Sequence, residues 1–158
     1  MSIGIVFSLL GAAVAIGLAG IGSSIGVGIV GRAASGLLAE DGSKFGNALI
    51  LEALAGSQAI YGFLVAILIL QKIGIIGGAS VSVTPEQGLA LMMAGIPVGF
   101  CGLASAIYQG KVAAGGLAIL AKDATRGTQG IILASLVETF AILGLLISIL
   151  ILTGVNVG

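Results

Sequence analysis

The sequence predicts an all-α membrane protein: four transmembrane helices forming two tandem hairpins that run in the same direction, assembled into an oligomeric ring. Three observations predict it. Of 158 residues, 58% are hydrophobic and 8% charged, against roughly a quarter charged in an ordinary soluble domain. Four long stretches carry almost no charge: 3–31 and 87–110 have none, 45–71 has only Glu52, and 127–158 has only Glu138. Sliding the chain against itself aligns 20–70 with 102–152 without a gap, and 19 of 51 positions are identical.

Each stretch exceeds the ~20 apolar residues that cross a hydrocarbon core of ~30 Å. None alternates with period two, and backbone amides in lipid must pair within their own segment, so the stretches are helices rather than barrel strands. The first helix is expected over 3–39; it is too long, and lacks the basic flank, for a cleaved leader. At 1.5 Å per residue it is roughly 55 Å long, so its end projects beyond the bilayer. After the turn Glu40-Asp41-Gly42-Ser43, the second helix is expected over 44–74. Thr84-Pro85-Glu86 reads as an N-cap, a proline at the first helical position and an acid in the first turn, opening a third helix over 85–121. Pro97 lies inside it and is expected to bend or locally loosen it without ending it. The turn Ala121-Lys122-Asp123-Ala124-Thr125 leads to a fourth helix over 125–153.

The stretch 74–84 joins the pairs, dividing the chain into hairpins 1–76 and 77–158, of which only the second holds a candidate ion carboxylate. The repeat superposes Asp41 on Asp123, Lys44 on Arg126 and Gly62 on Gly144. Because each repeat contains two helices, both halves cross the membrane in the same sense, unlike the inverted repeats of many secondary transporters. Lys44, Lys122 and Arg126 flank the short turns, with Arg32 and Lys111 on the same side and Lys72 alone on the other. The turns near 41 and 123 are therefore expected to be cytoplasmic.

Composition excludes several site types. Six basic and six acidic residues cancel, His and Trp are absent and Cys101 is the sole cysteine. There is no material for a disulfide framework, a Cys/His zinc site, a His-based triad or a basic nucleic-acid face. No GxxxxGK[ST] phosphate loop occurs, so the chain carries no nucleotide site and is expected to be non-catalytic by itself.

Small residues crowd the first and third helices, at Gly17, Gly20, Gly22, Gly26, Gly28 and Gly31 and at Gly95, Gly99, Gly102, Gly110, Gly115 and Gly116, while the second and fourth are rich in Leu and Ile. Small faces let helix backbones approach closely in lipid. One such stripe suits ordinary packing within a monomer; two long ones suggest an inner layer of an oligomer, with the second and fourth helices outside.

Glu138 is a carboxylate in a membrane span, which costs at least ~2.5–3.5 kcal/mol on insertion scales and marks a functional site by default. Gln109 precedes Asp123 by the same interval at which Glu138 follows Ala124, so an antiparallel hairpin sets them at one depth, near mid-membrane. In the first repeat Gly56 replaces the acid, but Leu54, Ser57, Gln58 and Tyr61 stand at i, i+3, i+4 and i+7, on one helical face. Any one of these polar groups alone would serve as an interhelical hydrogen bond. Together, one hydroxyl, two amide carbonyls and one carboxylate form a nest of hard oxygen donors for a dehydrated cation, and the single negative charge favours a monovalent one. Arg32 and Glu52 lie at equal intervals either side of Gly42 and are expected to pair near the cytoplasmic interface, with a part in ion access, together with Lys111, as the alternative. Cys101 is expected to be a packing residue.

The duplicated hairpin, the glycine-rich first and third helices, and the segments Leu54-Ala55-Gly56-Ser57-Gln58-Ala59-Ile60-Tyr61, Tyr108-Gln109-Gly110-Lys111-Val112-Ala113 and Leu136-Val137-Glu138-Thr139 resemble the proteolipid (c/K) subunit of the membrane rotor ring of V-type and A-type ATPases. The likeness is nearest to the K subunits of bacterial sodium-translocating V-ATPases and covers the whole chain. It implies a homo-oligomeric ring in a bacterial cell membrane, turning in lipid against a stator membrane subunit and coupled through a central stalk to an ATP-hydrolysing head. It also implies that Glu138, Gln109, Gln58, the Ser57 hydroxyl and the Leu54 backbone carbonyl hold one Na⁺, with Tyr61 hydrogen-bonded to Glu138. Ser57 stands where sodium members carry Thr, and the hydroxyl is kept. Proton-type relatives generally lack the glutamine pair, which favours Na⁺. The same ring translocating H⁺ is the alternative, and a channel-like four-helix protein the second alternative.

Overall fold

A computed structural model describes residues 2–78 and 81–157; positions 79 and 80 of the expected linker lie outside the described residues. The chain is all-helical. Helix α1 spans Ile3–Glu40, α2 Phe45–Leu54, α3 Ser57–Lys72, α4 Pro85–Lys122 and α5 Gly127–Gly154, with 3-10 turns at Gly42–Lys44 and Ala124–Arg126. Taken with their 3-10 turns, these make four segments long and apolar enough to cross a membrane, as expected. One expectation is corrected: the second span is not a single helix but two, α2 and α3, broken at Ala55 and Gly56. The neighbouring Gly56 and Ser57 supply the physical reason, a residue of poor helix propensity followed by a hydroxyl that competes for backbone groups.

The helix ends follow local chemistry. Thr84 caps α4, its hydroxyl accepting from the Gln87 amide at 3.3 Å while the Gln87 side chain accepts from the Thr84 amide at 2.9 Å, with Pro85 at the first helical position and Glu86 in the first turn. α3 ends on Gly74, whose φ of 78° is the left-handed conformation that a helix C-terminus commonly takes. The two short turns are chemical copies. Asp41 accepts from the Ser43 amide at 3.0 Å and pairs with Lys44 at 3.4 Å; Asp123 accepts from the Thr125 amide at 2.9 Å and pairs with Arg126 at 3.3 Å. The hydroxyls of Ser43 and Thr125 hold these carboxyls below the usual aspartate range. Lys44 also donates to the Ala121 carbonyl at 3.1 Å, so both turns lie at one end of the bundle. At the other end, Ser2 donates to the Val83 carbonyl at 3.3 Å and Gln87 to the Asn156 carbonyl at 2.7 Å.

Pro97 sits within an unbroken α4, as expected. The buried Val98 amide next to it donates to the Ser148 hydroxyl on α5 at 3.0 Å.

α1 and α4 form the most extensive helix pair. A Cβ at Gly88, Gly95 or Gly110 would overlap the backbone carbonyl of Gly4, Gly11 or Gly26, respectively. All three glycine pairs share one sequence offset, so the two helices run parallel in constant register. Much of the small-residue face is thus used inside the chain. Gly17, Gly20 and Gly28 of α1 meet nothing within 4 Å, and a second small-residue stripe remains open. Bulky side chains are exposed on every span: Ile21 on α1, Ile60 on α3, Phe100 on α4, and Leu136, Phe140 and Leu150 on α5 are each more than half exposed.

Candidate ion site in the membrane

The polar residues singled out in the sequence gather where α2 breaks. Leu54 is the last residue of α2, and Ser57, Gln58 and Tyr61 belong to α3, so the expected single face is assembled from two helical segments. At the break the Gly56 amide donates to the Ala53 carbonyl at 3.0 Å, a tighter turn than the α-helix. The Ser57 hydroxyl donates to the Leu54 carbonyl at 2.9 Å. A carbonyl released from helical bonding thereby stands beside a hydroxyl.

Gln58 and Gln109 are completely buried and face each other between α3 and α4. The Gln58 amide nitrogen donates to the Gln109 side-chain oxygen and, at 3.4 Å, to the Ser105 hydroxyl. Gln109 donates from its own amide to the Ala134 carbonyl at 3.2 Å, the carbonyl that an α-helix aims at the Glu138 backbone amide. One atom is left over: Gln58 Oε1 is buried without a hydrogen-bond partner. A buried acceptor in that condition costs about 1–3 kcal/mol unless a donor or cation reaches it.

Glu138 is half-buried on α5, and Tyr61 donates its hydroxyl to the Glu138 Oε1. No hydrogen bond joins Glu138 to either glutamine among the described residues. The donors fall into two neighbouring groups: the glutamine pair with Ser105, and the tyrosine–carboxylate pair. Among the described residues no three His, Cys, Asp or Glu side chains cluster. One carboxylate with neutral oxygens suits a singly charged ion better than a divalent one.

Glu52 does not pair with Arg32. Its carboxylate lies across Gly31, 2.8 Å from where a Cβ would stand, while Arg32 is exposed on another face of α1. Among the described residues the ion pairs are those of the two turns. Lys111 places its ammonium 4.9 Å from the centre of the exposed Tyr108 ring, a cation–π contact. Cys101 packs against Gly144, where a Cβ would fall 2.6 Å from its own.

Sequence reasoning missed two serines. Ser23 on α1 accepts from the Ala59 amide at 3.0 Å and donates to the Gly56 carbonyl at 3.4 Å. Ser105 on α4 donates to the Val137 carbonyl at 2.9 Å, next to Glu138. The repeat superposes these serines, and identity of a polar residue inside an apolar span was the available signal.

Comparison with known proteins agrees with this architecture. The family described as the C subunit of ATP synthase matches residues 10–69 and again 92–151, two segments related by the same offset as the internal repeat. The chain is 49% identical over 147 residues to the V-type sodium ATPase subunit K of Enterococcus hirae, covering 93% of this chain and 90% of that protein. It is 44% identical over 154 residues to the A-type ATP synthase subunit K of Methanocaldococcus jannaschii, covering 98% of this chain and 65% of that protein.

Proposed function

The chain belongs to the family of the ATP synthase C subunit, and from that premise we propose that it is a rotor-ring proteolipid of a V-type ATPase that binds one Na⁺ per protomer and carries it past the stator. The observation that carries the ion site is the orphaned Gln58 Oε1, buried beside Gln109 at a helix break. Na⁺, the transported substrate, takes up that oxygen together with Gln109, the Ser57 hydroxyl, the Leu54 carbonyl and the Glu138 carboxylate. The Gln109 oxygen accepts from Gln58 and keeps a second lone pair for the ion. Five neutral or singly charged oxygens replace the hydration shell, and the carboxylate balances the charge. Tyr61 fixes the Glu138 carboxylate in position.

In this reading copies close into a ring through the open stripe of Gly17, Gly20 and Gly28, with α3 and α5 outermost. The two hairpins, 1–76 and 77–158, contribute unequally: the second gives Glu138 and Gln109, the first the remaining ligands. The short turns at 41 and 123 face the cytoplasm and the stalk. The chain hydrolyses nothing itself; torque comes from a nucleotide-binding head.

A proton and Na⁺ compete for the same Glu138 oxygens, so carbodiimide labelling of Glu138 in the detergent-solubilised ring tests the assignment. Labelling is expected to rise as pH falls and to be suppressed by millimolar Na⁺ at fixed pH and ionic strength. Labelling that follows pH but ignores Na⁺ makes H⁺ the transported ion. Conductance of the purified protein in liposomes without its ATPase partners would instead establish a channel.

A further inference from the structure

We infer that Ser23, on α1 and outside the ligand set, is a positioning residue that holds the α2–α3 break open and so aims Ser57, Gln58 and Tyr61 at the ion; the inference rests on the ion-site reading above. In a continuous helix the Ala59 amide would donate to the Ala55 carbonyl. Here it donates to Ser23 Oγ at 3.0 Å, and the same hydroxyl donates to the Gly56 carbonyl at 3.4 Å. A hydroxyl has one proton and two lone pairs, so one side chain satisfies the Gly56 carbonyl within the break and the Ala59 amide in the first turn of α3. Ser23 is nearly fully buried, and Gly26, one turn on, leaves the space into which the buried Ala55 fits.

The second repeat shows what a serine alone does. Ser105 occupies the equivalent position and donates to the Val137 carbonyl at 2.9 Å, yet α5 runs unbroken through Glu138. Donating to a carbonyl leaves a helix closed. What distinguishes Ser23 is that it also accepts a backbone amide, opposite a glycine that weakens the helix at that point. With this acceptor removed, Ala59 regains its helical partner at Ala55, the break closes, and Ser57, Gln58 and Tyr61 rotate together relative to Leu54 and Glu138.

The test compares rings of the unaltered chain, Ser23→Ala, Ser23→Cys and the control Ser8→Ala. Ser8 is equally buried on α1 but, among the described residues, its hydroxyl bonds only the Gly4 carbonyl of its own helix, at 2.9 Å. Two readouts are taken on rings whose assembly is verified by native mass spectrometry: ²²Na⁺ affinity, and the pH midpoint of carbodiimide labelling at Glu138 in Na⁺-free buffer. Ser23→Ala is expected to weaken Na⁺ binding about tenfold, the scale of two lost hydrogen bonds, and to move the labelling midpoint because Tyr61 leaves the carboxylate. Ser23→Cys, which keeps an Xγ–H group that is slightly larger and a weaker donor and acceptor, falls between, and it decides the matter if the alanine variant does not assemble. Ser8→Ala leaves both readouts unchanged. If the unaltered ring binds no Na⁺, the sodium reading fails and the labelling midpoint alone decides the role of Ser23. An assembled Ser23 variant with both readouts unchanged, or a Ser8→Ala ring that shifts them equally, overturns the inference.

Discussion

The hydroxyl of Tyr61, on α3 of the first hairpin, donates to the carboxylate of Glu138, on α5 of the second. The repeat with Gly56 at the position of Glu138 therefore still contributes a hydrogen bond to that carboxylate. Gly56 stands at the equivalent position in the first repeat, and the groups gathered near Glu138 come from both halves.

Tyr61→Phe removes that donor and nothing else of size. A single hydrogen bond to a charged group contributes about 1.5–3 kcal/mol, a tenfold effect or more, but the bound ion supplies most of the same stabilisation, so Na⁺ binding is expected to weaken by no more than about tenfold. Release should accelerate more than binding slows. Rapid dilution of ²²Na⁺-loaded rings measures it.

Gln58→Ala and Gln109→Ala each delete a buried oxygen. Either change is expected to weaken Na⁺ binding on the order of 10–100-fold while the ring still assembles. Equilibrium ²²Na⁺ binding on size-verified rings checks both; unchanged affinity in the pair would remove the sodium assignment.

Glycines of α1 divide into two sets that substitution can separate. Leucine at Gly20 or Gly28 meets open space within the chain, so the protomer is expected to fold and insert but not to close a ring. Leucine at Gly95 would overlap the Gly11 backbone and is expected to disrupt the protomer itself. Native mass spectrometry and helical circular dichroism distinguish the outcomes.

Acid weakens the two short turns. Asp41 and Asp123 titrate below the usual range because Ser43 and Thr125 hydroxyls and amides bond their ionised forms. A depressed folded-state value supplies stability above the unfolded value of about 4, which is lost as pH falls through the folded value. Thermal unfolding of the ring is expected to soften below pH ~4, and Asp123→Asn to flatten that acid limb.

Lipid makes some features of this chain readable in one dimension. The four spans, their same-direction duplication and the ends of α1 and α4 follow from charge-free length, the self-match of the two halves and capping residues, because a segment in lipid must satisfy its own backbone. Leu54, Ser57, Gln58, Tyr61, Gln109 and Glu138 were each visible as polar atoms or register positions at one depth. Tertiary structure decided what two-helix counting could not. Whether Glu52 meets Arg32 depended on the rotation of α2 about its axis, and packing against Gly31 turned it away. Which glycines face one another depended on the parallel seating of α1 on α4. That the Ala59 amide meets the Ser23 hydroxyl rather than a carbonyl of its own helix depended on the seating of α1 against the α2–α3 break. A hydrogen bond between distant segments leaves no periodicity in the sequence, and only the packed helices bring its partners within reach.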